Sequence, residues 1–293
     1  MKNHIGYLYL VITCFIWGSI YIVSKYAMMA MGPLTLLGIR YLVAVVCLAF
    51  LLKVRGGRKP VRREDWKYIW IVGGLGYFVS IACQMVGTKL LDASLASLIN
   101  SLNPVTISLF AAVFLKEKIQ KKHVISILIS LTGIYIILGV GDQGINPGGL
   151  LASICSVLFW SAASVSIRRI SGGYDPVQVA LYGMLVALIF AVPAGVAQYV
   201  MEPTVLTAPA VLSCIYLGMV GTGVAHTLWN SSLRLLDASV CSMFYPLQPL
   251  TSAVMGVLFL HEILTKNFIV GGILICLGVI VSVVEPGKRQ AEA

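Results

Sequence analysis

The 293-residue chain predicts an all-α integral membrane protein, ten transmembrane helices arranged as two inverted five-helix repeats. Three observations carry this expectation. Apolar residues make up 59% of the sequence and charged ones 11%, against roughly a quarter charged in soluble domains, so there are too few charges for a polar skin. Apolar runs of roughly twenty residues, long enough for one helical crossing, tile the chain between short polar intervals. The pentapeptide Leu-Leu-Asp-Ala-Ser occurs twice, at 90–94 and 235–239.

The ten runs span about 5–27, 33–53, 67–88, 92–115, 121–140, 148–170, 176–200, 208–233, 237–260 and 267–284. Barrel strands would alternate over about ten residues, and no such alternation occurs. The first run is too long for a signal-peptide core, carries Trp17, Tyr21 and Ser24, and precedes no small-residue cleavage motif, so it is expected to remain as a helix. Net charge is +10, and its placement points to membrane orientation rather than nucleic-acid binding. Seventeen of 21 Lys and Arg residues fall on the side of the N-terminus; Lys25, Lys89 and Lys266 fall opposite, and Arg40 lies inside the second run. The positive-inside rule then gives a multi-pass protein of the cell membrane with both termini cytoplasmic. Seven cysteines, all within runs and without a C-x-x-C pair, indicate small buried hydrophobes, with no disulfide framework and no metal site. No cofactor is indicated, and a monomer is compatible with the pattern.

The repeat extends well beyond five residues. Downstream of Asp92 come Asn103-Pro104, Phe114 to Glu117, and Gly133; 145 positions on lie Gln248-Pro249, Phe259 to Glu262, and Gly278. Upstream, Gly73 and Gly76 match Gly218 and Gly221, and at an offset of 143 Trp17 and Pro33 match Trp160 and Pro176. The units are 1–142 and 148–285, followed by a cytoplasmic tail, 286–293. A unit with an odd number of crossings re-enters from the other side, so the copies are inverted, as in many secondary transporters. Asp92 and Asp237 then start corresponding helices at opposite faces, where capping of free backbone N–H groups is the favoured role and gating the alternative. Glu117 and Glu262 sit at helix ends beside basic residues, where local ion pairing is expected.

Polar side chains within crossings face the bundle interior or a water-filled cavity. Ser97, Asn100 and Asn103 recur at helical spacing before Pro104; Ser242, Tyr245 and Gln248 match them before Pro249. Tyr77, Ser80 and Gln84 form one stripe and Thr222, His226 and Asn230 another; the first run offers Thr13, Trp17, Tyr21 and Ser24, and its paired run Trp160, Ser164 and Arg168. These stripes serve either as interhelical hydrogen-bond glue or as a substrate site. The glycines fit close helix packing, with a hinge as the alternative. Every carboxylate falls in a loop, a tail or the end of a run, which argues against proton coupling through one. His226 is either a neutral, hydrogen-bonded histidine or the group for any proton linkage. Arg40 binds a substrate carboxylate, or else pairs with helix-end carbonyls or an acidic partner.

Ten runs in two halves, Phe-Ile-Trp-Gly-Ser (15–19) matched by Leu-Phe-Trp-Ser-Ala (158–162), and the ordered motifs of 91–117 and 236–262 resemble the EamA family of the drug/metabolite transporter superfamily. The resemblance covers about 5–285. It implies transport of small molecules or metabolites, often export, including amino acids in some members. It also implies a basic residue early in the second helix, the position of Arg40.

The expected function is alternating-access transport of a small polar or amphipathic metabolite, an amino acid or relative favoured. Trp17, Tyr77, Trp160 and Tyr245 would supply apolar faces. Asn100, Asn103, Asn230 and Gln248 would orient polar groups, with Tyr21, Arg40, Gln84, Ser164 and His226 completing the site. The alternative substrate is a quaternary ammonium or lipophilic cation held by the aromatic rings. A membrane enzyme would need a nucleophile with its base, a metal motif or a phosphate-binding glycine loop, and none is present.

Overall fold

The computed structural model describes residues 2–56, 58–116, 145–205, 207–242, 244–245 and 247–283, with 124–125, 128–129, 132–133 and 135–136 as short pieces between. All regular structure among these residues is helical. In chain order the helices are α1 (Lys2–Met28), α2 (Pro33–Arg55), α3 (Trp66–Leu90), α4 (Ala93–Phe114), α5 (Pro147–Ile170), α6 (Pro176–Met201), α7 (Ala208–Leu235), α8 (Val240–Leu260) and α9 (Lys266–Val283). The first eight are long and apolar enough to cross a membrane; α9 has a shorter apolar stretch, Lys266–Gly278. Observed ends fall within about three residues of the expected ones. The expected fifth run, 121–140, lies largely outside the described residues, as does Glu117, so eight crossing helices are what the described residues support.

Local chemistry explains the starts. Proline occupies the first turn of α2, α5, α6 and α7, where its missing N–H costs nothing. Asn146 accepts from Gly149 N at 3.1 Å and Asp175 from Val177 N at 2.8 Å, capping α5 and α6. Gly56, at φ 68°, ends α2 in a conformation that favours glycine.

Two of the long apolar helices are interrupted. Helix α4 consists of Ala93–Asn100 and Asn103–Phe114; likewise a short helix, Ala238–Ser242, which overlaps the start of α8, is separated from Leu247–Leu260. Pro104 lies in the first turn of its second segment, and Pro249 in the corresponding turn. Without an N–H, and with a ring that collides with the carbonyl four residues back, each proline restarts a helix rather than extending one. Two other crossings widen into π-helical turns, Ile71–Ser80 in α3 and Leu217–Val224 in α7, both glycine-rich.

Glycine in these turns permits backbone contact. A Cβ on Gly218 would lie 2.8 Å from Arg40 O and 2.6 Å from Val43 Cβ. On Gly73 it would lie 2.4 Å from Gly183 O and 2.6 Å from Val186 Cβ. These are the same contact made twice, since 73 matches 218 while 40 and 43 match 183 and 186. Close packing is therefore what these two glycines do.

The carboxylate chemistry at the start of α4 differs from expectation. Asp92 occupies the N-cap position but its side chain caps nothing there. Glu262, from the segment after α8, accepts instead from Ala93 N at 2.7 Å, Ser94 N at 3.2 Å and Ser94 Oγ at 2.5 Å. It is thus a cap delivered from the other half of the chain rather than a local ion pair. A backbone carboxylate cap is worth about 1–2 kcal/mol. Glu262→Ala should therefore speed amide exchange at Ala93 and Ser94 roughly tenfold; unchanged exchange would show the clamp contributes nothing.

At the start of α8, Asp237 pairs with Arg168 at 2.6 Å, and Arg168 also donates to Leu233 O at 2.8 Å.

Candidate functional site

The broken and widened turns converge on one cavity at the centre of the bundle. Its walls are Trp17 and Ile20 from α1, Arg40 from α2, Ser80, Ile81 and Gln84 from α3, and Asn100 and Asn103 from α4. Ser156 and Trp160 from α5, His226 from α7, and Tyr245 and Gln248 from α8 complete it. About 30 Å³ is open inside, enough for ordered water but not for a metabolite. The walls have closed on one another.

Aromatic rings do the closing. Trp17 lies edge-on to Trp160 with centroids 5.4 Å apart, and contacts Trp229 at 5.3 Å and His226 at 5.5 Å. Tyr77 stands edge-on to His226 at 4.9 Å, and Trp229 to Tyr245 at 5.4 Å. Trp160 Nε1 donates to the Tyr245 hydroxyl.

Nine of the thirteen residues expected at a binding site line this cavity. Of the other four, Tyr77 joins the ring cluster from behind, and Asn230 stands behind it, donating to Pro176 O at 3.3 Å. Tyr21 supports the wall by accepting from Gln84 Nε2 at 2.8 Å. Ser164 is fully buried one turn beyond Trp160 and is not part of the lining. Sequence reasoning missed Ser156 and, more consequentially, Trp229, a fully buried indole against Trp17. A signal for Trp229 existed, since the 145-residue offset pairs it with Gln84.

Arg40 is the unusual wall residue. It is 1% exposed, and its Nε donates to Thr222 Oγ1 at 2.8 Å. Thr222 in turn donates to Leu217 O, five residues back at 2.7 Å, so the widened turn of α7 places the hydroxyl that aims the guanidinium. Nη1 has no partner, and no carboxylate pairs with Arg40 among the described residues. A buried charge without a counter-charge costs several kcal/mol. Other buried wall atoms are also unpartnered: Gln248 Nε2, Asn103 Oδ1 and His226 Nε2. His226 Nδ1 lies 3.0 Å from Thr222 O, an acceptor, so the proton sits on Nδ1 and Nε2 presents a lone pair.

The sequence profile of the EamA-like transporter family matches residues 4–139 and 147–284. The chain belongs to the EamA-like transporter family. It is a membrane transporter rather than an enzyme. Among its relatives, the uncharacterised transporter YetK of Bacillus subtilis is 27% identical, with 100% of this chain and 91% of the relative covered. YoaV of the same organism, also an uncharacterised transporter, is 23% identical over 94% and 95%. Protein PecM of Dickeya dadantii is 23% identical over 89% and 86%. One crystal structure shares the fold with a TM-score of 0.71 at 23% identity, covering 96% of both chains.

The two matched segments of this EamA-like protein build unlike halves of the cavity. Where α7 abuts α2, a large side chain from α2 (Arg40) meets a small one from α7 (Thr222). At the equivalent contact the sizes are exchanged: α6 contributes Gly183, and Tyr77 of α3 fills the space, its ring 2.7 Å from where a Cβ would stand. Arg40 thus lines the cavity itself, whereas Tyr77 stands behind its aromatic side, formed by Trp17, Trp160 and Tyr245.

Proposed function

We propose that this protein is an alternating-access secondary carrier for small carboxylate-bearing metabolites, amino acids and related compounds foremost. The observation that carries the reading is Arg40, a buried guanidinium with a free Nη1, in a central cavity without a carboxylate among its lining residues. A substrate carboxylate would supply the missing counter-charge, with Gln248 Nε2 as a second donor. Asn103 Oδ1 and His226 Nε2 would accept from an ammonium group. Trp17 and Trp160 would take the remainder of the substrate.

The architecture behind this reading is ten crossings in two inverted units, 1–142 and 148–285, with both termini cytoplasmic in the cell membrane. Trp17 and Trp160, at matched positions, touch each other, as residues beside a two-fold axis must. Glu262 on Ala93 and Ser94 closes one end, and Arg168 on Asp237 the other. The 30 Å³ cavity is then the occluded state, and parting either contact opens one side. No described acidic residue lies within a crossing helix, which supports facilitated transport or exchange over proton antiport through a carboxylate.

The aromatic side of the cavity favours one competing reading, a quaternary ammonium substrate held by cation–π attraction. The thermal stability of the purified protein against amino acids, amines and quaternary ammonium compounds separates the two. A ligand at a hundred times its Kd stabilises by about 2.7 kcal/mol. Amino acids or other carboxylates are expected to raise the melting temperature. A response to quaternary ammonium compounds alone would replace the carboxylate reading.

A further inference from the structure

We propose that α2, α3, α6 and the basic loop between α2 and α3 bind one anionic phospholipid. Its head group would sit at Arg58, with one acyl chain on each side of a ridge formed by Tyr182 and Leu185. On the topology proposed above the lipid belongs to the cytoplasmic leaflet, and only that assignment rests on the topology.

Two grooves, about 700 and 650 Å³, run down this face and share Arg58, Tyr182 and Leu185. One is walled by Trp66, Trp70 and Ile189, the other by Leu52 and Leu181. Trp70 is 47% exposed, Leu185 44% and Ile189 56%, so the walls are apolar and open to the bilayer. Arg58 lines both grooves, and Lys53 lines the second as well.

Arg58 is held in place. Arg58 Nε donates to the Tyr182 hydroxyl at 2.8 Å, and Trp66 stacks on the Tyr182 ring at 6.0 Å and 6°. Gln178 grips the loop backbone on both sides of Lys59, accepting from its N–H at 3.1 Å and donating to its carbonyl at 2.5 Å. Tyr174 accepts from Arg62 N at 3.1 Å and donates to Asp65 at 2.6 Å. The loop is thus fastened to α6 and the segment before it.

Charge names the ligand class. Between Lys53 and Lys67 there are seven basic residues and two acidic ones. Among the described residues, the only ion pairs of these two acids are with Arg62, at 3.3 and 3.8 Å. The remaining basic side chains, Arg58 included, have no carboxylate partner there. Basic clusters at a membrane surface attract anionic lipid, at about 1 kcal/mol per residue, and interfacial Trp and Tyr suit the head-group level. A soluble anion would satisfy Arg58 but leave both grooves unused. A zwitterionic lipid would fill the grooves but add no net charge. An anionic two-chain lipid meets both conditions.

Native mass spectrometry of the full chain in detergent, titrated with phosphatidylglycerol and with phosphatidylcholine of the same chains, tests the site. Phosphatidylglycerol adducts are expected at lower concentration. Arg58→Gln should weaken them about fivefold and leave phosphatidylcholine unchanged, while Leu185→Trp, which crowds both grooves, should weaken both lipids. Equal binding of the two lipids by the parent protein would overturn the proposal. So would phosphatidylglycerol binding indifferent to both substitutions, or its displacement by inorganic phosphate at matched concentration. The experiment involves no transported substrate, so its failure leaves the carrier reading untouched.

Discussion

Arg40→Met is expected to weaken carboxylate-substrate binding, and with it counterflow at low substrate concentration, about ten- to hundredfold while leaving the empty protein as stable as the parent or more so. The two halves of this expectation have one cause. Burying a guanidinium without a counter-charge is unfavourable, and methionine fills much of the same volume without the desolvation cost. Thr222 keeps its bond to Leu217 O, so the widened turn of α7 is not orphaned. The substrate, by contrast, loses a charge-assisted hydrogen bond worth about 1.5–3 kcal/mol, which is roughly ten- to hundredfold in affinity. Arg40→Lys should fall between, because an ammonium cannot reproduce the Nε contact to Thr222 together with a free Nη1. Proteoliposome counterflow and the melting temperature of the same preparations measure both quantities. Intact transport would assign Arg40 a purely structural role. Lost transport with collapsed stability would do the same.

Gly218→Val should prevent folding or lower stability by about 3 kcal/mol or more, at the upper end for an overpacked contact. Its Cβ would stand 2.8 Å from Arg40 O and 2.6 Å from Val43 Cβ. The first of these is backbone, which cannot rotate away, so α2 and α7 would have to separate and carry the guanidinium out of register. Gly73→Val should act alike, against Gly183 O at 2.4 Å. Gly74→Ala is the control: it lies in the same π-helical stretch, but its Cβ would meet only Phe190 Cε2, at 3.9 Å. If detergent size-exclusion profiles and melting curves show all three variants alike, the helical geometry rather than the close approach is what these glycines serve.

Periodicity found most of the cavity wall because a polar residue in a crossing has few places to go. Asn100, Asn103, Tyr245 and Gln248 were legible as stripes ending in proline, and they line the cavity. The same reasoning admitted Ser164, which shares a helical face with Trp160 yet lies beyond the cavity; a stripe gives direction but not depth. It passed over Trp229, which stands three residues from His226 in an amphipathic stretch, because the polar members of that stripe were taken and the indole was not; comparison with Gln84 across the offset would have raised it. Continuous crossings were expected at Pro104 and Pro249, where the chain breaks. Whether proline kinks or interrupts a helix depends on what lies alongside to accept the freed backbone groups.

By itself the sequence determined the helical class, eight of the crossing helices and their ends, and the residue stripes that face inward. These follow from composition and short-range spacing, which act within a single helix. Only the tertiary structure decided that Glu262 caps a helix from the other half, that Thr222 aims Arg40, and that Tyr77 occupies the space over Gly183. Those contacts join residues 168, 182 and 106 positions apart. Which side chain meets which across such a distance is set by how the helices pack against one another, and no local pattern encodes it.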